Sequence, residues 1–327
     1  MGMPNLILIS KKFDDRIDRI DDVDILFSEV CKVYNLGRLI NSDQVKIGYE
    51  DFNSIIDTEN GKYFVKIFSN FRDDKEVDEV IERQLVATEA GISTPKIFRN
   101  NNNEIITTIN IGDSKFRLIV TGYVNGKDFC SSGDDPTNND LLQIVEIAAN
   151  LQKINYKPPF IYDSWAISSF VQEFEKKRGL LSGDHLKLLK PIYEEFKKFD
   201  YEKLPKGYTH GDMIVTNLIK DDKGKIWLVD YSVANYTARL NEIAVICCDP
   251  AVILGDKNST KLRIKKTFQM WCDSVNATDF EKENFQLLLD VANAIHVMNS
   301  SIEKQNGNDS KENEYFLDSG LFGLSMI

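Results

Sequence analysis

Residues Tyr208 to Ser232 read YTHGDMIVTNLIKDDKGKIWLVDYS. Asp212 and Asn217 share one polar loop of this stretch, and Asp230 ends the apolar run KIWLVD that follows. Two carboxylates and an amide oxygen are hard oxygen donors of the kind Mg²⁺ prefers, and a carboxylate can also accept the proton of an incoming hydroxyl. Phosphoryl transfer from a nucleotide calls for that set, because positioning and charge neutralisation do most of the catalytic work there. On the residues alone, Asp212 can accept the proton of the attacking hydroxyl, Asn217 offers an amide oxygen to Mg²⁺, Asp230 closes its strand with the carboxylate facing back, and His210 braces the loop backbone rather than titrating. Asp212 by itself is as well explained by a turn or helix cap beside glycine. Its weight comes from the company of Asn217 and Asp230. The DKG of DDKGKIW is a hairpin turn and not a metal loop.

The elements that must position these residues can be read from periodicity. RIDDVDILFSEVCKVYNLG spaces Ile17, Ile20, Val23, Leu26, Phe27, Val30 and Val33 as an amphipathic helix, with Gly37 as its C-cap. QVKIGYEDFNSIIDTENGKYFVKIFS alternates around Asn60-Gly61, which gives a hairpin and a further strand before Tyr49. A helix from DDKEVDEV to near Gly91 follows, then strands at EIITTINI and KFRLIVTGYV. Beyond NGKDF the pattern turns helical: Leu141 to Ile154, Trp165 to Lys177, Asp184 to Phe199, Leu262 to Ser274 and Glu281 to Lys304. EKQNGNDSKENE reads as an exposed loop before a short last segment.

At 327 residues the chain exceeds the usual reach of one hydrophobic core, and its 42% apolar content suffices to fill two. The expected class is α+β with two lobes: a small antiparallel sheet lobe, residues 1–121, and a larger, mainly helical lobe, residues 122–327. Clefts between lobes are where ligands usually sit. The 40 Lys and Arg against 51 Asp and Glu leave a net charge of −11, which argues against nucleic-acid backbone binding and favours a small or cationic substrate. Five scattered cysteines without a CxxC pair signal neither a disulfide framework nor a zinc site, so a reducing cytoplasm is expected. The opening MGMPNLILISKK lacks the pattern of a secretion signal, and no stretch approaches the roughly 20 apolar residues of a membrane span.

HGDMIVTN resembles the HGDxxxxN catalytic loop of the aminoglycoside phosphotransferase and choline kinase-like superfamily, whose fold is protein kinase-like. The resemblance implies Asp212 as catalytic base and Asn217 as Mg²⁺ ligand, with Asp230 of VDY as the second ligand. GKYFVKIF is similar to the family's third strand, which implies that Lys66 clamps the nucleotide's α- and β-phosphates. RLIVTGYVNGKDF resembles its hinge, which implies that backbone groups at Thr121, Gly122 and Tyr123 hold adenine. EAGISTPKIF looks like its GxPVPxxL segment. GYEDFN looks like the GGxxN opening of homoserine kinase-like and hydroxylysine kinase-like members, here with Gly48 alone in the phosphate-covering turn.

A helical glutamate should pair with Lys66. On the wheel Val77, Val80, Ile81, Gln84 and Leu85 form the core face and Glu82 flanks it, with Glu79 nearly opposite, so Glu82 is the expected partner. Glu242 stands in NEIA where the family commonly has DLA; a surface or capping role is the plainer expectation for it. The resemblance therefore implies a Mg-ATP-dependent kinase of a small hydroxyl compound, with GTP an open alternative donor. An amine-bearing acceptor (aminoglycoside, amino acid or amino alcohol) suits the acidic chain. A nucleotide-binding sensor or scaffold without transfer is the competing expectation, resting on the altered flap. A protein kinase is disfavoured, since HGD replaces HRD, DYS stands for DFG, and no APE-like segment follows.

Overall fold

The computed structural model describes residues 16–20, 22–45 and 51–326. By backbone proximity the chain divides into two compact units, one running to Thr88 and resuming over Thr94–Asn125, the other made of Glu89–Ser93 and everything from Gly126. The division falls four residues beyond the sequence boundary. Ser93 belongs with the helical unit because its carbonyl accepts the Leu228 N–H at 2.8 Å.

The first unit is a five-stranded antiparallel sheet of order β1-β2-β3-β5-β4, built from β1 (Leu39–Val45), β2 (Phe52–Thr58), β3 (Gly61–Ile67), β4 (Thr107–Ile111) and β5 (Ser114–Gly122). The β2–β3 hairpin turns on Glu59 and Asn60, since Thr58 already faces Gly61, whose φ of +137° completes the turn at no steric cost. Helix α1 (Val23–Val33) lays Leu26, Phe27, Val30 and Cys31 on the face that carries Val65, Ile67, Leu118 and Val120. It ends earlier than expected: Tyr34 is its C-cap and Asn35 (φ +54°) takes the left-handed position, ahead of Gly37. Alternation then decides where Lys66 points, because it lies between Val65 and Ile67 and pairs with Ile119. Lys66 therefore occupies the face opposite α1, where Ile119 packs against Val77, Val80 and Ile81 of α2 (Asp74–Glu89).

The second unit holds two small antiparallel sheets among helices. One joins β6 (Gly126–Asp128), β8 (Leu218–Asp221) and β9 (Ile226–Leu228); the other pairs β7 (Lys206–Thr209) with β10 (Asn235–Ala238). The helices are α3 (Phe129–Ser132), α4 (Asn138–Leu151), α5 (Phe170–Lys177), α6 (Gly183–Phe196), α7 (Leu240–Cys248), α8 (Lys257–Val275), α9 (Asp279–Gln305) and α10 (Lys311–Leu324). Thr137 and Thr278 start α4 and α9 with capping boxes. The long α9 buries nearly every residue from Leu288 to Ile302 and is the spine of the unit. Two helices longer than one turn go beyond what periodicity predicts: α7, too short and too uniformly apolar for a periodic signal, and α10, which fills the expected short tail and begins inside the expected loop. Among the described residues no helix is long and apolar enough to cross a membrane.

Candidate active site

The β8–β9 hairpin explains how residues far apart in sequence come together. Leu218 faces Leu228, and one step beyond, the Val229 N–H donates to the Asn217 carbonyl at 3.1 Å. Asn217 and Asp230 thus leave the open end of one hairpin side by side. Asp221 closes the other end, accepting from the N–H groups of Lys223 and Lys225 at 2.9 Å each around Gly224 (φ +80°). The loop from Gly211 to Asn217 folds back so that Asn217 Nδ2 donates to the Asp212 carboxylate at 2.7 Å and to the Asp212 carbonyl at 3.0 Å. With its nitrogen so engaged, Asn217 keeps Oδ1 as the atom available to a cation. Asp230 adopts φ +63°, a left-handed conformation that Asp tolerates better than most residues, and its Oδ1 accepts the Ser232 N–H at 3.3 Å. Gly211 (φ +84°) lets the chain turn into the loop past the Val233 carbonyl, which a Cβ would meet at 3.4 Å.

His210 is fully buried and its ring bridges the two strands of the site. Nδ1 accepts the Asp212 N–H at 3.3 Å, so Nε2 carries the proton and donates to the Val229 carbonyl at 3.1 Å. Tyr231 covers it edge-on with ring centroids 4.7 Å apart. Burial lowers its pKa to about 4. It is a neutral brace. Below it, the buried Glu242 of α7 accepts the His210 N–H at 2.5 Å and the Gly211 N–H at 3.3 Å, and burial outweighs these bonds to push its carboxyl up to about 7. Asp249, one residue past α7, accepts the Val215 N–H at 2.8 Å and is likewise pushed up to about 7 by burial. The Asp212 carboxyl is driven well above its ordinary range by burial first, then by the charges of Asp163 and Asp230.

In the first unit Lys66 pairs with Asp51 at 3.5 Å, and Asp51 also meets Arg72 at 3.2 Å and accepts the Ser69 N–H at 3.0 Å. The expected role of Glu82 needs correction. Arg83 is fully buried and turns α2 so that Glu79, 14% exposed and 3.9 Å from Arg83, faces inward while Glu82 is exposed. Glu82 lines a surface hollow with Asp78, Leu85, Arg99 and Ile105. At the expected hinge Thr121 is buried and the Gly122 N–H already donates to the Lys96 carbonyl at 2.9 Å, so that amide is not available to a base. Gly48 of the expected phosphate flap lies outside the described residues.

The sequence model of the phosphotransferase enzyme family matches residues 43–264. The chain belongs to that family. It is 22% identical over 223 residues to a homoserine kinase of Methylobacillus flagellatus, a match spanning 67% of this chain and 66%, just under two thirds, of that relative. Among solved structures, an amicoumacin kinase bound to AMP-PNP, Ca²⁺ and Ami superposes with a TM-score of 0.67 at 14% identity, over 97% of this chain and 96% of the other. The choline kinase LicA of Streptococcus pneumoniae gives 0.62 at 12% identity over 93% and 99%, and a spectinomycin phosphotransferase complexed with ADP and spectinomycin 0.63 at 11% over 93% and 94%. At these identities the likeness is one of fold, which is therefore the two-lobed kinase-like α+β fold.

Among the described residues no group of three or more His, Cys, Asp or Glu side chains is arranged to enclose a metal ion. A site of one carboxylate and one amide oxygen is a different kind: it supplies part of an octahedron and leaves the rest to phosphate and water, which is how Mg²⁺ is usually held. Asn217 Oδ1 and Asp230 fit that description. Glu242 is a buried support of the loop from His210 to Asn217 rather than a surface residue, and Asp249 joins it without having been expected. A signal for both is present in the sequence, since each is a lone carboxylate in an otherwise apolar run, LNEIAVICC and ICCDPAV, and such carboxylates are rarely buried without a partner.

Proposed function

We propose that the chain transfers the γ-phosphoryl group of ATP, or of GTP, to the hydroxyl of a small amine-bearing compound in the cytoplasm. Asp212 receives the acceptor hydroxyl and its proton. Asn217 and Asp230 hold Mg²⁺, which when bound supplies positive charge to the transferring phosphoryl group. Lys66 and, apart from the Gly122 N–H, the backbone at Thr121 to Tyr123 are assigned to the nucleotide through the family resemblance. The first unit would serve the donor and the second the acceptor.

The observation that carries this reading is the surrounding of Asp212. Its carboxylate is held by the Asn217 amide, and the negative charges of Asp163, Asp230 and Asp249 act on it. Such a centre is suited to cations: a metal on one side and a substrate ammonium on the other. Asp163 belongs to a segment fixed against the catalytic strand. Asn235, which faces Thr209 in the β7–β10 pair, exchanges hydrogen bonds with both backbone groups of Ile161 at 3.1 and 2.8 Å, and the Tyr156 ring lies against Tyr208. Trp165, two residues beyond Asp163, is 37% exposed and packs against His296 and Phe316, centroids 6.2 Å apart in each case. Incubation with Mg·ATP and a panel of amino alcohols, hydroxy amino acids, aminoglycosides and neutral polyols, with mass detection of phosphorylated product, tests the proposal. Phosphorylation of an amine-bearing member is expected, and nucleotide binding without any product across the panel would favour a sensor.

A further inference from the structure

We propose that Asp249 is a positioning residue for phosphoryl transfer, fixing the far end of the catalytic loop as Glu242 fixes its start. This rests on the reading of Asp212 and Asn217 given above. The two carboxylates are seven residues apart, two turns of helix or about 10 Å along the axis of α7. They hold the loop at two points: Glu242 takes the N–H groups of His210 and Gly211, and Asp249 takes that of Val215, between Asp212 and Asn217. The other side of the same residue is held too, since the Val215 carbonyl accepts the Phe129 N–H at 3.1 Å.

Asp249 is itself immobilised by its neighbours. The Cys248 carbonyl accepts from Ser319 Oγ of α10 at 3.1 Å, and the carbonyls of Pro250 and Ala251 accept from Arg263 of α8 at 2.9 Å each. The loop therefore takes its shape from a point anchored by two other helices. Packing does not explain the choice of residue. Asp249 is fully buried and, among the described residues, its second oxygen, Oδ2, has no hydrogen-bond partner, whereas an apolar side chain in its place would leave only the Val215 N–H without its acceptor. A buried carboxyl kept at such a cost is accounted for by its bond to the Val215 N–H, and that bond sets the path of the chain from Asp212 to Asn217.

The test compares Asp249→Asn, which retains an acceptor oxygen for Val215, with Asp249→Leu, which does not. On the whole chain with its best panel acceptor, Asp249→Leu should lower kcat per folded site roughly 10- to 100-fold with nucleotide Kd changed less than about threefold, and Asp249→Asn should recover most of the loss. A merely structural role would reduce the folded fraction and leave kcat per folded site unchanged, and that result would overturn the proposal, as would equal losses in both variants. Amide exchange in the wild-type chain gives a check that does not depend on how the Leu variant folds: protection of the Val215 N–H supports the clamp, and exchange at the rate of an open loop refutes it. Asp212→Asn is measured in parallel. Full turnover there removes the phosphotransfer reading itself, whereas lost turnover in Asp212→Asn beside full turnover in Asp249→Leu removes only the clamp.

Discussion

In the first unit Lys66 and Arg72 meet the Asp51 carboxylate at 3.5 and 3.2 Å, whereas in the second unit Asp212, Glu242 and Asp249 accept hydrogen bonds from an amide side chain or from backbone N–H groups. The difference is one of charge balance. Around Asp51 opposite charges neutralise one another, so that an incoming phosphate would draw on a lysine already held in place. Around Asp212 negative charge accumulates: burial raises the carboxyls of Asp212, Glu242 and Asp249, and like charges add to it at Asp212 and Asp249. One region is prepared for an anion by an internal counter-ion it can release, the other for cations by the carboxylates it gathers.

The sharpest way to break this contrast is to remove a carboxylate from the negative region. Asp230→Ala should reduce turnover on the order of 10³-fold and weaken nucleotide binding only when Mg²⁺ is present, read by titrations with and without the metal. Equal affinities in both titrations would remove Asp230 from the metal site. Next in size is a pH effect on stability. The Glu242 carboxyl rises from 4.5 in the unfolded chain to about 7 in the fold. A raised carboxyl stabilises fully below the unfolded value and loses that contribution as pH climbs through the folded one. Relative to Glu242→Gln, the wild type should therefore lose on the order of 3 kcal/mol of unfolding free energy between pH 4.5 and pH 8, measured by urea denaturation. Parallel curves for the two proteins would mean that Glu242 is not held neutral.

Smaller effects sharpen the acceptor side. Asp163→Asn should raise KM for amine-bearing acceptors roughly 10- to 100-fold and leave neutral hydroxyl acceptors unaffected, the loss of one charge-assisted contact. An equal rise for both kinds would assign Asp163 to the fold. In the balanced region, Asp51→Asn should cost about 1 to 2 kcal/mol of stability, since Lys66 and Arg72 lose a shared partner in a largely desolvated place. Its effect on turnover should be slight.

How much of the molecule is legible in the sequence depends on whether neighbours in the chain are neighbours in space. HGDMIVTN and VDY can be joined because an intervening hairpin with an unmistakable turn carries one to the other, and the bracing role of His210 follows from its place beside the loop. The β2–β3 hairpin and its lysine strand are equally plain, within one residue at the turn. Glu82 is misplaced for a physical reason: the wheel sorts side chains by polarity, and a fully buried Arg83 is a residue that polarity sorts outward. Asp51 stays hidden because its bond to Lys66 crosses two strands and depends on register. Helix α7, which carries Glu242 and ends just before Asp249, escapes because nine almost uniformly apolar residues give no period to detect.

Asp212 can be tested alone, before the natural acceptor is identified, once the panel yields any phosphorylated compound. Asp212→Asn keeps the shape of the side chain and a hydrogen-bonding oxygen for Asn217 while removing the group that takes the hydroxyl proton. Transfer should fall by roughly 10²- to 10⁴-fold while the Kd for Mg-nucleotide stays close to that of the wild type. Near-normal transfer by this variant would show that the carboxylate at the head of the HGDMIVTN loop is not where the chemistry happens.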